Sequence, residues 1–437
     1  MTLETVLQTG LQYYLVAFDG EGVERQVDGA QRTSERIAAE IHDGDITDVV
    51  LLNHGWQGDV PAAKDQYSRW IRASAECPDL TRVKEANARF RPLIVGVHWP
   101  SLPWGDEELS SGPASFAPGA GLPSPEQLID RYAERIADTP TARAALQTIF
   151  DAARRNVRAP KLSAELRDAY EILNREAGLG DAGEGAAPGD DREPFDADRA
   201  YALSQQDAVS FGGGGLGGLL APLRQLSFYK MKDRARAFGQ SGGAGLLRAL
   251  QNADRNGDVR FHLMGHSFGC IVVSAILAGD GTASNRTVDS VLLIQGALSL
   301  WSYCSEIPKA PGRAGYFHSI VANQRVNGPI VTTQSQRDTA VGRLYPTAAG
   351  VARQVAFAPG DFPKYGALGT FGARGPGIEI EDRRMLPVTD SYGFRKGTIY
   401  NLESSHIINQ GGGLSGAHND IARPEVAHAF WQAAYPT

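Results

Sequence analysis

Val259-Arg260-Phe261-His262-Leu263-Met264, then Gly265-His266-Ser267-Phe268-Gly269, then Cys270-Ile271-Val272-Val273-Ser274-Ala275-Ile276-Leu277, is the stretch on which the reading of this chain turns. The first six residues read as a buried strand and the last eight as a packed helix. The five between them must turn the chain so sharply that side chains two positions either side of Ser267 would collide. Glycine at 265 and 269 removes that collision, and Ser267 is then expected at strained dihedrals with its hydroxyl presented at the top of a sheet. The bland alternative is a Gly/Ser turn without chemistry. A catalytic serine needs partners, so the rest of the chain must supply a base, an acid and an oxyanion site.

Other apolar, β-rich runs lie on both sides of this stretch. Tyr13–Phe18, Asp48–Asn53 and Pro92–Trp99 precede it; Val288–Gln295, Gly328–Thr333 and Thr398–Leu402 follow. Runs that are apolar on both faces and separated by helical stretches predict a parallel sheet covered on both sides, an α/β architecture. Pro424 opens a closing amphipathic helix with Val426, Ala427, Phe430 and Trp431 on one face.

The 50 glycines and 24 prolines gather in residues 101–245 and 348–397, which points to two insertions in one domain spanning 1–437. The first is helical at its start. Ser124-Pro125-Glu126-Gln127 has the form of a capping box, Thr139-Pro140 repeats the opening, and Lys161 to Ala177 is a third helical stretch. Residues 181–190 are acidic and rich in Gly and Pro.

A net charge of −7 gives no electrostatic reason to expect nucleic acid as a partner. No apolar stretch approaches the roughly 18 residues needed to span a bilayer, and the N-terminus shows no secretory signal. Cys77, Cys270 and Cys304 are odd in number and widely spaced, which argues against a disulfide framework or a cysteine-built zinc site. The expectation is a cytoplasmic protein that needs no metal or organic cofactor.

The Gly-x-Ser-x-Gly at a strand-to-helix junction, with Asn53-His54-Gly55-Trp56-Gln57-Gly58 after an early strand, resembles the α/β-hydrolase superfamily over most of the chain. The His-Gly pair is similar to the oxyanion loop of lipases and esterases, without the run of three glycines that some esterases have. The resemblance implies a mostly parallel central sheet flanked by helices, and a lid-like role for the 101–245 insertion. It implies Ser267 as nucleophile, then an acid and a histidine in that chain order. Asp338, in the polar loop after the Gly328–Thr333 strand, takes the place of the acid, and could also cap the helix that begins at Ala340. His418, between a glycine-rich loop and the last helix, takes the place of the base, with His406 as the alternative; His428 reads as a packing residue. The backbone N–H groups of Phe268 and Trp56 are the expected oxyanion donors. His54, Gly55 and His266 are expected beside the substrate.

Several weaker signals are set aside. Gly212-Gly213-Gly214-Gly215-Leu216-Gly217 matches Gly-x-Gly-x-x-Gly but follows no strand. Asp254-Arg255-Asn256-Gly257-Asp258 lacks the glycine and glutamate of a calcium loop. Lys230, Lys232, Arg234 and Arg236 read as the solvated face of a helix. The sequence therefore predicts a serine hydrolase acting on small-molecule or lipid carboxylic esters, long acyl chains included, with Trp56, Trp99 and Trp104 as an aromatic mouth. A peptidase or amidase on the same residues, and an inactive interaction protein that kept the fold, are the alternatives.

Overall fold

The computed structural model describes residues 3–26, 31–56, 59–101, 124–155, 161–180, 187–202, 216–279, 286–340, 362–412 and 416–436. Its strands are β1 (Leu3–Thr5), β2 (Gln12–Ala17), β3 (Asp48–Asn53), β4 (Pro92–His98), β5 (Arg260–His266), β6 (Ser290–Ile294), β7 (Ile330–Gln334), β8 (Glu379–Arg384) and β9 (Thr398–Glu403). They form a nine-stranded sheet in the order β1-β2-β4-β3-β5-β6-β7-β9-β8. The β1/β2 pair is antiparallel and every other pair is parallel. The protein is thus α/β with a mostly parallel central sheet, as the doubly apolar strands predict.

The helices are α1 (Thr33–Asp43), α2 (Val60–Ala75), α3 (Pro78–Ala86), α4 (Pro125–Arg135), α5 (Pro140–Arg154), α6 (Ala164–Glu176), α7 (Leu216–Phe238), α8 (Ala244–Ala253), α9 (Phe268–Ala278), α10 (His318–Ala322), α11 (Leu368–Phe371) and α12 (Pro424–Ala434). Alternation along the strands divides the sheet's two faces. Met264 of β5 and Val50 and Leu52 of β3 join Tyr67, Trp70 and Ile71 of α2, Leu80 of α3 and Phe430 and Trp431 of α12 in one apolar core. Phe261 and Leu263 point the other way, where α9 packs on β5 and α8 packs on α1. Every residue of α9 from Phe268 to Leu277 is buried, which explains why its sequence is apolar all round.

Contacts divide the chain into two compact units: residues 1–102, 184–188 and 234–437, and residues 103–183 and 189–233. The second unit takes most of the 101–245 stretch, while 234–245 belongs with the sheet. Within it α4 opens with the expected capping box: Ser124 Oγ accepts the Gln127 N–H at 3.3 Å and Gln127 Oε1 accepts the Ser124 N–H at 2.8 Å. Thr139 and Ser163 cap α5 and α6. One expectation fails here. Lys232 is not on a solvated face but fully buried, paired with Asp191 Oδ2 at 3.0 Å and lying over the rings of Phe228 and Tyr229. A lysine at this depth persists only because the carboxylate and the aromatic faces replace its water.

The 348–397 stretch holds a regular element that composition hid. β8 pairs in parallel with β9 at the sheet edge. Trp104 and most of the 212–217 glycine run lie outside the described residues. No helix among the described residues is long and apolar enough to cross a membrane.

Candidate active site

β5 ends in the turn that the sequence predicts. Ser267 has φ 56° and ψ −117°, a left-handed conformation that costs energy for a residue with a Cβ. Its backbone is pinned on three sides: its N–H donates to Ile294 O at 3.0 Å, and its carbonyl accepts from Cys270 N at 3.1 Å and Ala297 N at 3.2 Å. The flanking glycines answer a real collision. A Cβ on Gly265 would lie 2.4 Å from Gly269 O, and one on Gly269 would lie 2.2 Å from Asn53 O. Phe268 is the first residue of α9, so its N–H belongs to the positive end of a helix.

Strand register brings the other segments to the same edge. Asn53 pairs with Gly265, so the chain leaving β3 emerges beside the Gly265–Gly269 turn, the elbow between β5 and α9. There a Cβ on Gly55 would lie 2.9 Å from Ser267 Cβ, which only glycine avoids. The Gly55 carbonyl is held by two donors, His54 Nδ1 at 2.8 Å and Ser101 Oγ at 3.2 Å. Because a trans peptide sets C=O and N–H on opposite sides, fixing this carbonyl also fixes the direction of the Trp56 N–H. The Trp56 ring sits 5.6 Å from that of Phe268.

His54 is a framework residue rather than one open to substrate. Its N–H donates to Tyr67 Oη at 3.0 Å and its carbonyl accepts the Trp99 indole N–H at 3.0 Å. The ring stacks on His98 and Trp99. Burial, aided by the neighbouring His98, lowers its pKa to about 3, so it stays neutral. A carbonyl only accepts, so the proton must sit on Nδ1. Trp99, expected at an aromatic mouth, is fully buried in this framework.

Asp338 and His418 meet although eighty residues separate them. Asp338 Oδ2 accepts from His418 Nδ1 at 2.7 Å and from Gln295 Nε2 at 3.0 Å. Asp338 Oδ1 accepts the Ala340 N–H at 3.1 Å; residues 341–361, where the capped helix is expected, lie outside the described residues. An isolated antiparallel bridge between Asp338 and Gly416, with Ala417 N donating to Arg337 O at 3.0 Å, ties the two loops together. His418 is 8% exposed, and its Nε2 has no hydrogen-bond partner among the described residues.

His266 connects this pair to the elbow. Its Nε2 donates to His418 O at 2.9 Å, the two rings lie 4.7 Å apart, and Gln66 Nε2 reaches its Nδ1 at 3.4 Å. Burial first, and then the adjacent His418, push its pKa well below the usual value. Like His54, it was expected at the substrate and is instead buried in the support of the site.

The competing residues stand elsewhere. His406 Nε2, the alternative base, bonds Met385 O at 3.1 Å. His428 is buried against Asp79 at 2.6 Å. Sequence reading missed Gln295, which follows β6, has φ 48° and is locked by Thr333 Oγ1. A polar residue ending an otherwise apolar strand next to the elbow strand is the signal that marks it. Among the described residues no group of three or more His, Cys, Asp or Glu gathers as a metal site. Comparison with protein-family models, with curated proteins and with solved structures finds no match for this chain.

Proposed function

We propose that this protein is a serine hydrolase of α/β-hydrolase type that cleaves carboxylic esters through an acyl-enzyme. The observation that carries the reading is Ser267, held at φ 56° between two obligatory glycines while His266, its chain neighbour, hydrogen-bonds the backbone of the His418 that Asp338 orients. Support also comes from order along the chain: elbow after a central strand, glycine loop after the strand beside it, acid after β7 and histidine after β9. This reading takes the inserted helical unit as the lid.

In the proposed reaction His418 Nε2 takes the Ser267 proton as Oγ attacks the ester carbonyl. The charge on the carbonyl oxygen is met by the N–H groups of Phe268 and Trp56, each of which is worth on the order of 3 kcal/mol in such a site. Collapse releases the alcohol, which takes the proton from His418. Water then repeats the sequence on the acyl-serine and frees the acid. Asp338 keeps the His418 proton on Nδ1 and steadies the imidazolium formed in each half.

The test is a p-nitrophenyl ester series run beside aminoacyl amides, with Ser267→Ala checked for fold by circular dichroism. Folded Ser267→Ala should lose ester turnover. Full ester activity in that variant overturns the reading, and faster turnover of amides than of esters replaces esterase by amidase.

A further inference from the structure

Where β6 ends, the chain from Ile294 to Ala297 touches both ends of the candidate active site. Ile294 O accepts the Ser267 N–H at 3.0 Å, and the Ala297 N–H donates to Ser267 O at 3.2 Å, so both backbone polar groups of Ser267 are held from this segment. Between them Gln295 turns at φ 48°, a left-handed conformation that a residue with a Cβ adopts at a cost. Such a kink persists only where its neighbours determine it. Here the Gln295 N–H donates to Thr333 Oγ1 at 3.1 Å. Behind it α11 packs so closely that a Cβ on Gly369 would lie 2.6 Å from the Gln295 carbonyl carbon.

The side chain of the kinked residue is fully buried and matched at both ends of its amide. Oε1 accepts the Thr333 hydroxyl at 3.0 Å, and Nε2 donates to Asp338 Oδ2 at 3.0 Å. The partners also decide which end is which. Thr333 Oγ1 takes the backbone N–H as acceptor and turns its single proton to Oε1. Reversing the amide would set Oε1 against a carboxylate oxygen, two acceptors with no proton between them. The same Oδ2 accepts from His418 Nδ1 at 2.7 Å. One short segment therefore fixes the backbone of Ser267 and the direction of the carboxylate that meets His418. Catalytic geometry of this kind is sensitive to shifts of about 1 Å.

We propose that Gln295 is a positioning residue: locked by Thr333 and acting through Asp338, it holds the His418 imidazole in register with the Ser267 turn. Its part in turnover rests on Ser267 being the nucleophile; its hold on His418 does not.

Gln295→Met keeps the Cβ and the reach of the side chain and removes the donor, and two readouts on the full chain test it. In protein labelled isotopically at histidine, the His418 Nδ1 proton should resonate far downfield, as protons shared with a carboxylate do, and His418→Gln identifies it by its loss. Gln295→Met should move this resonance upfield and hasten its exchange with water, whereas Ser267→Ala should leave it in place. In ester hydrolysis, folded Gln295→Met should lower kcat about thirtyfold with KM within about twofold. Thr333→Val should lower kcat less and add nothing to Gln295→Met, because it acts through the same amide. If Gln295→Met does not fold, Thr333→Val should move the proton and kcat in the same directions by smaller amounts. An unmoved His418 proton overturns the proposal and leaves Ser267 as nucleophile untouched, as do losses in kcat from the two variants that simply multiply. A moved proton in a chain that turns over no ester upholds the hold on His418 and overturns the nucleophile assignment instead.

Discussion

Asp338 Oδ2 lies 2.7 Å from His418 Nδ1, and Gln295 Nε2 donates to the same oxygen at 3.0 Å. One carboxylate oxygen therefore sets both the angle and the tautomer of the imidazole, while the other is occupied by the Ala340 N–H. In Asp338→Asn the amide can donate toward Nδ1 and favour the wrong tautomer. We expect kcat for esters to fall by about four orders of magnitude with KM little changed, measured under steady-state conditions on folded protein. An Asp338→Asn enzyme within tenfold of wild type would remove this carboxylate from the mechanism.

Ser101 acts at one remove. Its hydroxyl is the second of two donors to the Gly55 carbonyl, at 3.2 Å, and that peptide carries the Trp56 N–H. Ser101→Ala leaves His54 Nδ1 alone to hold the plane. If the Trp56 N–H is the oxyanion donor proposed above, kcat should drop about tenfold with KM nearly unchanged, because such a donor acts in the transition state. Equal losses in kcat and thermal stability across Ser101→Ala and Ser101→Thr would instead indicate simple packing.

At the far end of the strands, Asp48 anchors a network remote from the site. It is fully buried; Oδ1 meets His262 Nε2 at 3.0 Å and Arg260 at 2.7 Å, and Oδ2 accepts from Thr47 at 2.6 Å and Tyr435 at 2.9 Å. Removing the carboxylate strands several donors at once. Asp48→Ala should cost about 3 kcal/mol in urea unfolding while the activity of the remaining folded molecules is unaltered.

Acid should weaken the fold before it protonates carboxylates. Burial holds His54 at about 3 and His266 well below 6.5, whereas both titrate near 6.5 in the unfolded chain. Below pH 6.5 the unfolded state therefore binds more protons than the folded state, and stability is full above that pH and is lost as pH falls. Each such histidine contributes up to about 1.4 kcal/mol per pH unit in that window. Urea unfolding at pH 7.5, 6 and 5 should show this decline; a flat profile would mean that neither ring is buried and neutral.

Much of the sheet is legible in sequence because parallel strands buried on both faces must be apolar throughout, as Val49 to Leu52 and Val291 to Ile294 are. Glu379–Arg384 carries no such mark: an edge strand tolerates charge on both sides, so Glu-Ile-Glu-Asp-Arg-Arg reads as loop. Lys232 misleads for the converse reason, since its partner Asp191 lies forty-one residues away and no local pattern announces it. The elbow is legible because a steric constraint writes itself into two glycines. The choice between His418 and His406 is not, because it depends on the Asp338–Gly416 bridge, a contact between distant loops. Gln295 and Ser101 escape for the same cause: each acts through a residue that sequence places far from it.

The most direct measurement is labelling with a fluorophosphonate followed by peptide mass mapping. A single adduct on Ser267, formed in wild type, slowed strongly in Asp338→Asn and absent in Ser267→Ala, is the predicted result. An adduct on another residue, or none while the protein turns over esters, would contradict the assignment of Ser267 as the nucleophile.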